Sequence, residues 1–488
     1  MQRITADADA PLFDIATTRR IEQAAAASLP PHTLMQRAGL AVARLAMALA
    51  PDARTVWIAC GPGNNGGDGF EAAAQLQRRG FRPVVTWRGD AARLPPDASA
   101  SLARARHEGV LFAEAPPDRF ELAIDALLGI GIGPRRAIEG TMRDWLTRMH
   151  AGPTPVLSID LPSGLDADTG AWPDGVPLPP STRRFCLSLL TRKPGLFTAQ
   201  GRDAAGQIWF DDLGCGTGDE APVARINARP ADPMRAHASH KGSYGDVAVV
   251  GGAPGMAGAA LLAASAALHA GAGRVYVAPL DTSAARVDAQ RPELMFRLLA
   301  ALDLAELSVV CGCGGGDAVR AALPRVLSAA AALVLDADAL NALADDASLQ
   351  TLTRHRAARD RPTVLTPHPL EAARLLGCTT AQVQADRLQA AQALVERFAC
   401  TVVLKGSGTA ISAPGESPRV NLSGNARLAT AGTGDVLAGM VGAGLAAGLS
   451  AFMAAREAVW RHGDLSDRWP TDQPLTAGAL ALGGAPAA

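Results

Sequence analysis

The sequence predicts an α/β protein of two domains, each a parallel sheet with helices on both faces. Three observations carry this. At 488 residues the chain exceeds one ordinary core and suits two domains of about 200–250 residues. In both halves, short apolar runs alternate with helical stretches, the pattern of parallel sheets. A polar, proline-bearing run over residues 214–236 separates the two series and reads as a linker. The expected domains are residues 1–218 and 226–488.

Composition narrows the function classes. Hydrophobic residues make up 48% and charged residues 19%, so the chain is globular. A net charge of −1 gives no footprint for nucleic acid and no polybasic membrane patch. The N-terminus has no apolar secretory segment, and cytoplasmic residence is expected. The seven cysteines are scattered apart from Cys311 and Cys313, a poor zinc signal, and reduced thiols are expected. Residues 436–455 carry no charge over twenty positions. They are mostly Ala and Gly, which favours a buried helix or two short ones over a membrane span.

Lysine occurs three times among 46 basic residues, as Lys193, Lys241 and Lys405, and Asn six times, at 64, 65, 227, 341, 421 and 425. Each lysine precedes Gly or Pro-Gly. A compact ammonium in glycine-rich backbone points to close approach to an anion or to a tight backbone site.

In the first half, residues 17–50 have helical periodicity. Strand 55–59 runs into Gly61-Pro-Gly-Asn-Asn-Gly-Gly-Asp-Gly69, with a helix expected over 70–79. Gly61, Gly63 and Gly66 satisfy G-x-G-x-x-G, but Asp68 opposes a pyrophosphate there. The loop suits a polar sugar or amide, or a cation held by carbonyls and carboxylate. Strands follow at 83–87, 122–126 and 155–160, with helices near 98–107 and 138–149. Asp68, Asp125 and Asp160 all fall at strand ends, where ligands bind such sheets. A lone acid there often caps a helix; three in succession favour a shared site.

In the second half, strand 246–250 leads through a glycine loop into an Ala-rich helix ending at His269, which reads as a packed core histidine. Strand 274–278 follows. Strand 308–311 enters Gly312-Cys-Gly-Gly-Gly316. Strand 333–335 ends in Asp336 and Asp338. His368 lies between two prolines and either caps the next helix or serves a site. Strand 401–404 ends at Lys405. Last, Gly432-Thr-Gly-Asp435 opens an apolar helix. Unpaired N–H groups at such a start suit a phosphate, and a carboxylate beside them makes sense as a base for an attacking hydroxyl. A capped helix explains that stretch alone equally well.

These motifs resemble two known families. Gly61–Gly69, Asp125-Ala-Leu-Leu-Gly-Ile-Gly131 and Ile159-Asp-Leu-Pro-Ser-Gly164 look like the signature blocks of the NAD(P)H-hydrate epimerase domain, the YjeF N-terminal family. The resemblance implies a Rossmann-like three-layer α/β/α domain over residues 1 to about 215. Asn64, Asn65, Gly66, Gly67 and Asp68, with Gly129, Ile130, Gly131, Ile132, Gly133, Pro134 and Arg135, would line the hydrated nicotinamide nucleotide. Asn65, Asp125 and Ser163 would hold potassium. Asp160 would touch the substrate ring and do acid/base work, with Asp125 positioning the site as its catalytic companion. Lys193-Pro-Gly-Leu196 also fits this family, on a late strand.

His240-Lys-Gly-Ser-Tyr-Gly245, Asp336-Ala-Asp-Ala-Leu-Asn341, Thr366-Pro-His-Pro-Leu-Glu371, Leu404-Lys-Gly406 and Gly432–Asp435 together resemble the ribokinase-like ADP-dependent NAD(P)H-hydrate dehydratase domain, again three-layered. Cys313 departs from it, standing where that family usually has Pro. The resemblance implies that Lys405, Gly406, Ser407, Gly408, Thr409 and Gly434 bind the phosphates of ADP with Mg2+. Asp435 would deprotonate the ring hydroxyl, His368 and Ala259 would contact the hydrate, and Gly314 and Gly316 would allow close approach. The implied partners are hydrated NADH or NADPH and ADP, and a homo-oligomer is expected. The alternative is a ribokinase-type vitamin kinase fused to a non-catalytic Rossmann-like binding domain.

Overall fold

The computed structural model describes residues 1–130, 138–181, 183–232, 234, 236–283 and 286–483. It divides into two compact units, Met1–Thr5 with Pro11–Ala224 and Ala6–Ala10 with Arg225–Ala488.

The first unit runs β1 (Gln2–Arg3), α1 (Ile15–Ser28), α2 (Thr33–Leu49), β2 (Thr55–Cys60), α3 (Asn64–Gln77), β3 (Arg82–Trp87), α4 (Pro96–His107), β4 (Leu111–Ala113), β5 (Leu122–Ala126), α5 (Gly140–Ala151), β6 (Val156–Ile159), β7 (Arg184–Leu189), α6 (Gly201–Ala205) and β8 (Gln207–Asp211). Its eight strands order as β1-β8-β7-β6-β5-β2-β3-β4. All pairs are parallel except β1 with β8. Val56, Ile58 and Cys60 alternate along β2 into one core with Val42 and Leu45 of α2 and Phe70 of α3, as period-2 strands on an amphipathic helix require.

The helix expected from Phe70 begins six positions earlier, at Asn64, with Gly63 as N-cap. Its glycines serve packing. A β-carbon on Gly66 would lie 2.2 Å from the Gly61 carbonyl oxygen. Asn64 to Asp68 therefore occupy the first turns of a helix, not a loop. A second difference concerns Lys193-Pro-Gly-Leu196. Lys193 precedes a 3-10 turn over Pro194–Phe197 and is not on a strand, because proline withdraws an N–H from any ladder.

The second unit runs β9 (Ala224–Ile226), β10 (Asp246–Gly251), α7 (Ala257–His269), β11 (Arg274–Pro279), β12 (Met295–Phe296), β13 (Ser308–Cys311), α8 (Val319–Ala329), β14 (Ala332–Leu335), α9 (Asp338–Asp345), α10 (Ala347–Ala357), β15 (Thr363–Leu365), α11 (Pro369–Leu376), α12 (Thr380–Ala385), α13 (Arg387–Phe398), β16 (Thr401–Leu404), β17 (Ala410–Ser412), β18 (Arg419–Val420), α14 (Thr433–Ala446), α15 (Ala451–Asp467) and α16 (Ala477–Ala481). The sheet order is β12-β11-β10-β13-β14-β15-β16-β17-β18-β9. It is parallel from β12 to β16, and β17 is antiparallel to both neighbours. Alternation splits β10 cleanly. Val247 and Val249 pack with α7 and α14, while Ala248 and Val250 pack with α8 and α9. These are the outer layers of a three-layer unit.

The uncharged run is two helices, α14 and the start of α15, with Ser450 capping the second. Among the described residues no helix is long and apolar enough to cross a membrane. His269 departs from expectation. It ends α7 and is exposed.

Helices α7 and α14 touch through Gly439, whose added β-carbon would lie 2.1 Å from the Ala263 carbonyl oxygen. Gly439→Ala must push the two helices apart. The expected cost is about 1–3 kcal/mol, read as a lower midpoint for the second unit's transition in chemical denaturation. An unchanged midpoint would show the contact to be soft.

Candidate active sites

The first site is a cavity of about 490 Å³ in the first unit. Asn64, Asn65 and Asp68 reach it from α3, Gly129 and Ile130 from the chain after β5, Asp160 from the end of β6, and Lys193 from beyond β7. Thr18, Arg19 and Glu22 of α1 and Asp97 of α4 complete its polar lining. Gly131, Ile132, Gly133, Pro134 and Arg135 lie outside the described residues.

Asp160 has φ +65°, a costly conformation for a residue with a side chain and one that tends to occur at functional sites. Its Oδ1 accepts from the Leu189 N–H at 3.0 Å and from the Lys193 ammonium. Lys193 is 1% exposed and also donates to the Leu189 carbonyl at 2.7 Å. Asp68 faces the same space without a bonded cation among the described residues. Burial first, then the charges of Asp160 and Glu22, hold its carboxyl well above the usual range. Glu22 is raised for the same two leading reasons. The cavity thus pairs a carboxylate fixed by an ammonium with carboxyls that favour keeping a proton.

Asp125 does not line this cavity. It is fully buried, accepting from the Ser163 hydroxyl at 2.5 Å, the Ser163 N–H at 2.8 Å and the Leu127 N–H at 3.2 Å. The convergence expected of three acids is therefore a pair, Asp68 and Asp160, above a buried Asp125–Ser163 brace that ties two strand-end loops together. Asn65 is 7% exposed, and neither amide atom has a hydrogen-bond partner among the described residues. A buried carboxamide left without partners calls for a ligand.

The second site lies at the carboxyl ends of β13 to β16. Asp336, 2% exposed, accepts from Lys405 Nζ at 2.7 Å and from the Thr366 hydroxyl at 2.8 Å. Asp435 stands in the first turn of α14, after Gly432 with φ +88°. Its carboxyl is pushed up to about 6 by burial and then by Asp336, against the opposing pull of Cys313 and Lys405. Ligand atoms of Cys313, Asp336 and Asp435 lie within 4.8 Å of one another. A β-carbon on Gly434 would sit 3.3 Å from Lys405 Nζ, so glycine there leaves room for the ammonium.

The other expected residues sort differently. Gly406 (φ +135°) and Gly408 (φ +64°) form the turn after β16, and Thr409 Oγ1 donates to the Gly406 carbonyl at 3.0 Å. Ser407 is exposed in that turn. Lys405 does not reach outward with them, since its ammonium is turned to Asp336. Gly314 and Gly316 do allow close approach, but to the protein itself. Added β-carbons would meet Ala259 Cβ at 2.8 Å and Met256 Cε at 2.9 Å, respectively. His368 caps α11: Nδ1 accepts from the Leu370 and Glu371 N–H groups at 3.1 and 3.3 Å, and Glu371 accepts from the His368 N–H at 2.7 Å.

The chain matches the NAD(P)H-hydrate dehydratase family over residues 247–483 and the YjeF-related protein N-terminus over residues 31–195. It is 36% identical over 452 residues to the bifunctional NAD(P)H-hydrate repair enzyme Nnr of Escherichia coli strain K12, covering 89% of this chain and 85% of that one. The chain belongs to the bifunctional NAD(P)H-hydrate repair enzyme family. It is also 46% identical over 261 residues to the ADP-dependent (S)-NAD(P)H-hydrate dehydratase of Neisseria meningitidis serogroup B, with 52% of this chain and 87% of that one covered. Among solved structures, the ADP/ATP-dependent NAD(P)H-hydrate dehydratase of Bacillus subtilis, co-crystallised with ATP and Mg2+, aligns at 30% identity and TM-score 0.42, over 51% of this chain and 90% of that one.

Several residues of this repair-family chain escaped the sequence reading as site residues. Asp336 and Glu22 are the clearest, with Lys193 recognised as a motif but not as the partner of Asp160. Lysine scarcity was the available signal for Lys193 and Lys405. Each does meet an anion, and in both cases it is an aspartate of the protein. Arg387 gave no signal. Its buried guanidinium donates to the Leu404 and Lys405 carbonyls at 3.0 Å each and braces the turn before Gly406.

Proposed function

We propose that the first unit interconverts the R and S hydrates of NADH and NADPH. The second unit dehydrates the S form with ADP as phosphoryl donor, releasing AMP and phosphate. The observation that carries the reading is Asp435, a half-buried carboxylate at a Gly-Thr-Gly helix start, beside an Asp336–Lys405 pair. Hydroxide leaves poorly; a phosphate ester leaves well. The ring hydroxyl attacks the terminal phosphoryl group of ADP, and Asp435 takes its proton. The ring nitrogen's electron pair then expels phosphate, and loss of a ring proton restores the double bond.

In this reading Gly434 N–H and the 406–409 turn hold phosphates, and Lys405 supplies positive charge without leaving Asp336. His368 and Ala259 border the hydrate. Mg2+ would enter with the phosphates of ADP and neutralise charge in transfer; Asp336 is the carboxylate left to face it, since Asp435 is kept as the base and the Cys313 thiol does not suit the ion. Asn65, with its unpartnered amide oxygen, and the Asp125–Ser163 brace would hold K+. Asp125 then acts through position, and Asp160 through contact. The functional boundary is taken as residues 1–218 and 226–488. A cytoplasmic homo-oligomer completes the proposal, and light scattering reads the assembly.

The test uses the full chain with both hydrate epimers, with and without ADP. Absorbance of the reduced ring should return only with ADP, while epimers equilibrate without it. A stable phosphate ester instead would favour the vitamin-kinase alternative. Because the base must be ionised, kcat/KM for dehydration should climb as pH rises through about 6 and fall below it. A flat profile from pH 5 to 8 would remove Asp435 from that role.

A further inference from the structure

The cavity of the first unit holds two carboxyls in unlike surroundings. Asp160 is held by Lys193, which is buried to 1% exposure and bonded also to the Leu189 carbonyl. Its contacts fall on Oδ1, so a substrate meets a carboxylate with one oxygen already committed. Asp68 lines the same cavity and has no such cation among the described residues. Among the described residues, the charged or titratable groups around the pair are Glu22 and Arg19 from α1, Asp97 from α4, Glu71 on α3 itself, Cys60 on β2, Asp125 on β5, Cys186 on β7, and Lys193. Of these groups only Lys193 is bonded to either carboxyl, and it is bonded to Asp160.

We propose that Lys193 fixes the division of labour in the epimerase cavity: it keeps Asp160 as the base and leaves Asp68 as the proton donor. The proposal rests on the epimerase reading above. It also selects a route. The hydroxyl-bearing carbon of the hydrate is bonded to the ring nitrogen. Asp160 takes the hydroxyl proton, and that O–H electron pair forms a carbonyl. The carbon–nitrogen bond breaks, and its pair goes to nitrogen, which takes the proton of Asp68. The aldehyde turns, and nitrogen closes on its other face. Nitrogen's proton returns to Asp68, and the oxygen regains the proton held by Asp160. No atom is gained or lost, and each carboxyl ends as it began.

Loss and re-addition of water would instead leave Asp68 ionised and Asp160 protonated after one turn. A cavity whose ammonium is committed to one carboxyl opposes that exchanged state. Ring opening therefore fits the asymmetry of the site, and it returns the enzyme ready in either direction.

The test follows epimerisation of a resolved hydrate by the full chain without ADP, from pH 5 to 9, with hydrate binding measured separately by equilibrium dialysis. Asp68→Asn should lower the rate about 10²-fold or more and abolish the alkaline limb, with binding retained. Lys193→Gln should move the acid limb to higher pH, and Lys193→Arg should move it part of the way back. A structural role alone would lower the rate without moving either limb. Asp68→Asn within threefold of wild type, or an acid limb unmoved in Lys193→Gln, overturns the proposal. Asp68 bonds no cation here, so its variant keeps the test if Lys193→Gln fails to fold. Wild-type chain that leaves the epimers unequilibrated overturns the epimerase reading itself. Solvent ¹⁸O entering the hydroxyl-bearing carbon no faster than the free hydrate exchanges supports ring opening; one oxygen exchanged per inversion overturns it.

Discussion

Asp435→Asn is expected to lower ADP-dependent dehydration about 10²–10⁴-fold, the usual worth of a positioned base. Asparagine matches aspartate in size, so the start of α14 and its Gly432 cap should persist. What goes is the proton acceptor, together with one of two charges crowding the site. Asp336 stays bonded to Lys405 and Thr366, so the ammonium remains in place. ADP affinity should hold or tighten slightly, since a negative charge beside the phosphates is gone. Epimerisation, carried by the other unit, should not change. Stopped assays with the S hydrate and saturating ADP read the effect. Dehydration near the wild-type rate would sink the role given to Asp435.

The same residues show what the sequence could and could not convey. Strand ends and glycine loops follow from period and turn chemistry, so Asp125, Asp160, Asp336 and Asp435 were legible as strand-end or helix-start acids. Which of them faces a ligand depends on packing that no local pattern encodes. Asp125 and Asp160 end adjacent strands, yet one is sealed beneath Ser163 and the other opens to the cavity at φ +65°. Asn64 to Asp68 looked like a loop because glycine usually breaks helices. Glycine stands inside that helix because position 66 passes the Gly61 carbonyl closely, a tertiary demand that overrides propensity.

Rare residues carried more than their positions did. Lys193 and Lys405 proved to be internal counter-ions. The scarce asparagines also do buried work: Asn227 donates to Asn421 at 3.0 Å, and Asn421 to the Ser423 carbonyl at 2.9 Å. Scarcity marked importance without telling a ligand contact from a structural one. His368 shows the same limit from the other side. Its proline bracket was legible, and so was a capping role, but only the geometry puts Nδ1 on two backbone N–H groups. A nitrogen already accepting those bonds is poorly placed to take a proton as well, so this histidine borders a substrate better than it serves as a base.

Asp160→Asn should give the second large effect, and it must be separated from a loss of stability. The substitution leaves Lys193 buried opposite a neutral amide. Breaking such a pair by removing one partner costs about 3–5 kcal/mol, enough to unfold a marginal domain. Asp160→Asn combined with Lys193→Met removes both charges and restores compatibility with the surroundings. The double variant should therefore melt closer to wild type than the single one does. Its epimerisation should remain lower by about 10²-fold or more, because nothing takes the hydroxyl proton. With ADP present, both variants should still dehydrate the S hydrate and leave the R hydrate behind, so an equal mixture returns about half of its reduced cofactor before spontaneous inversion intervenes. Equal loss for both epimers would mean that the two chemistries are not divided between the two units. Full recovery of epimerisation in the double variant would mean that the buried ammonium, and not the missing carboxylate, had disabled the site.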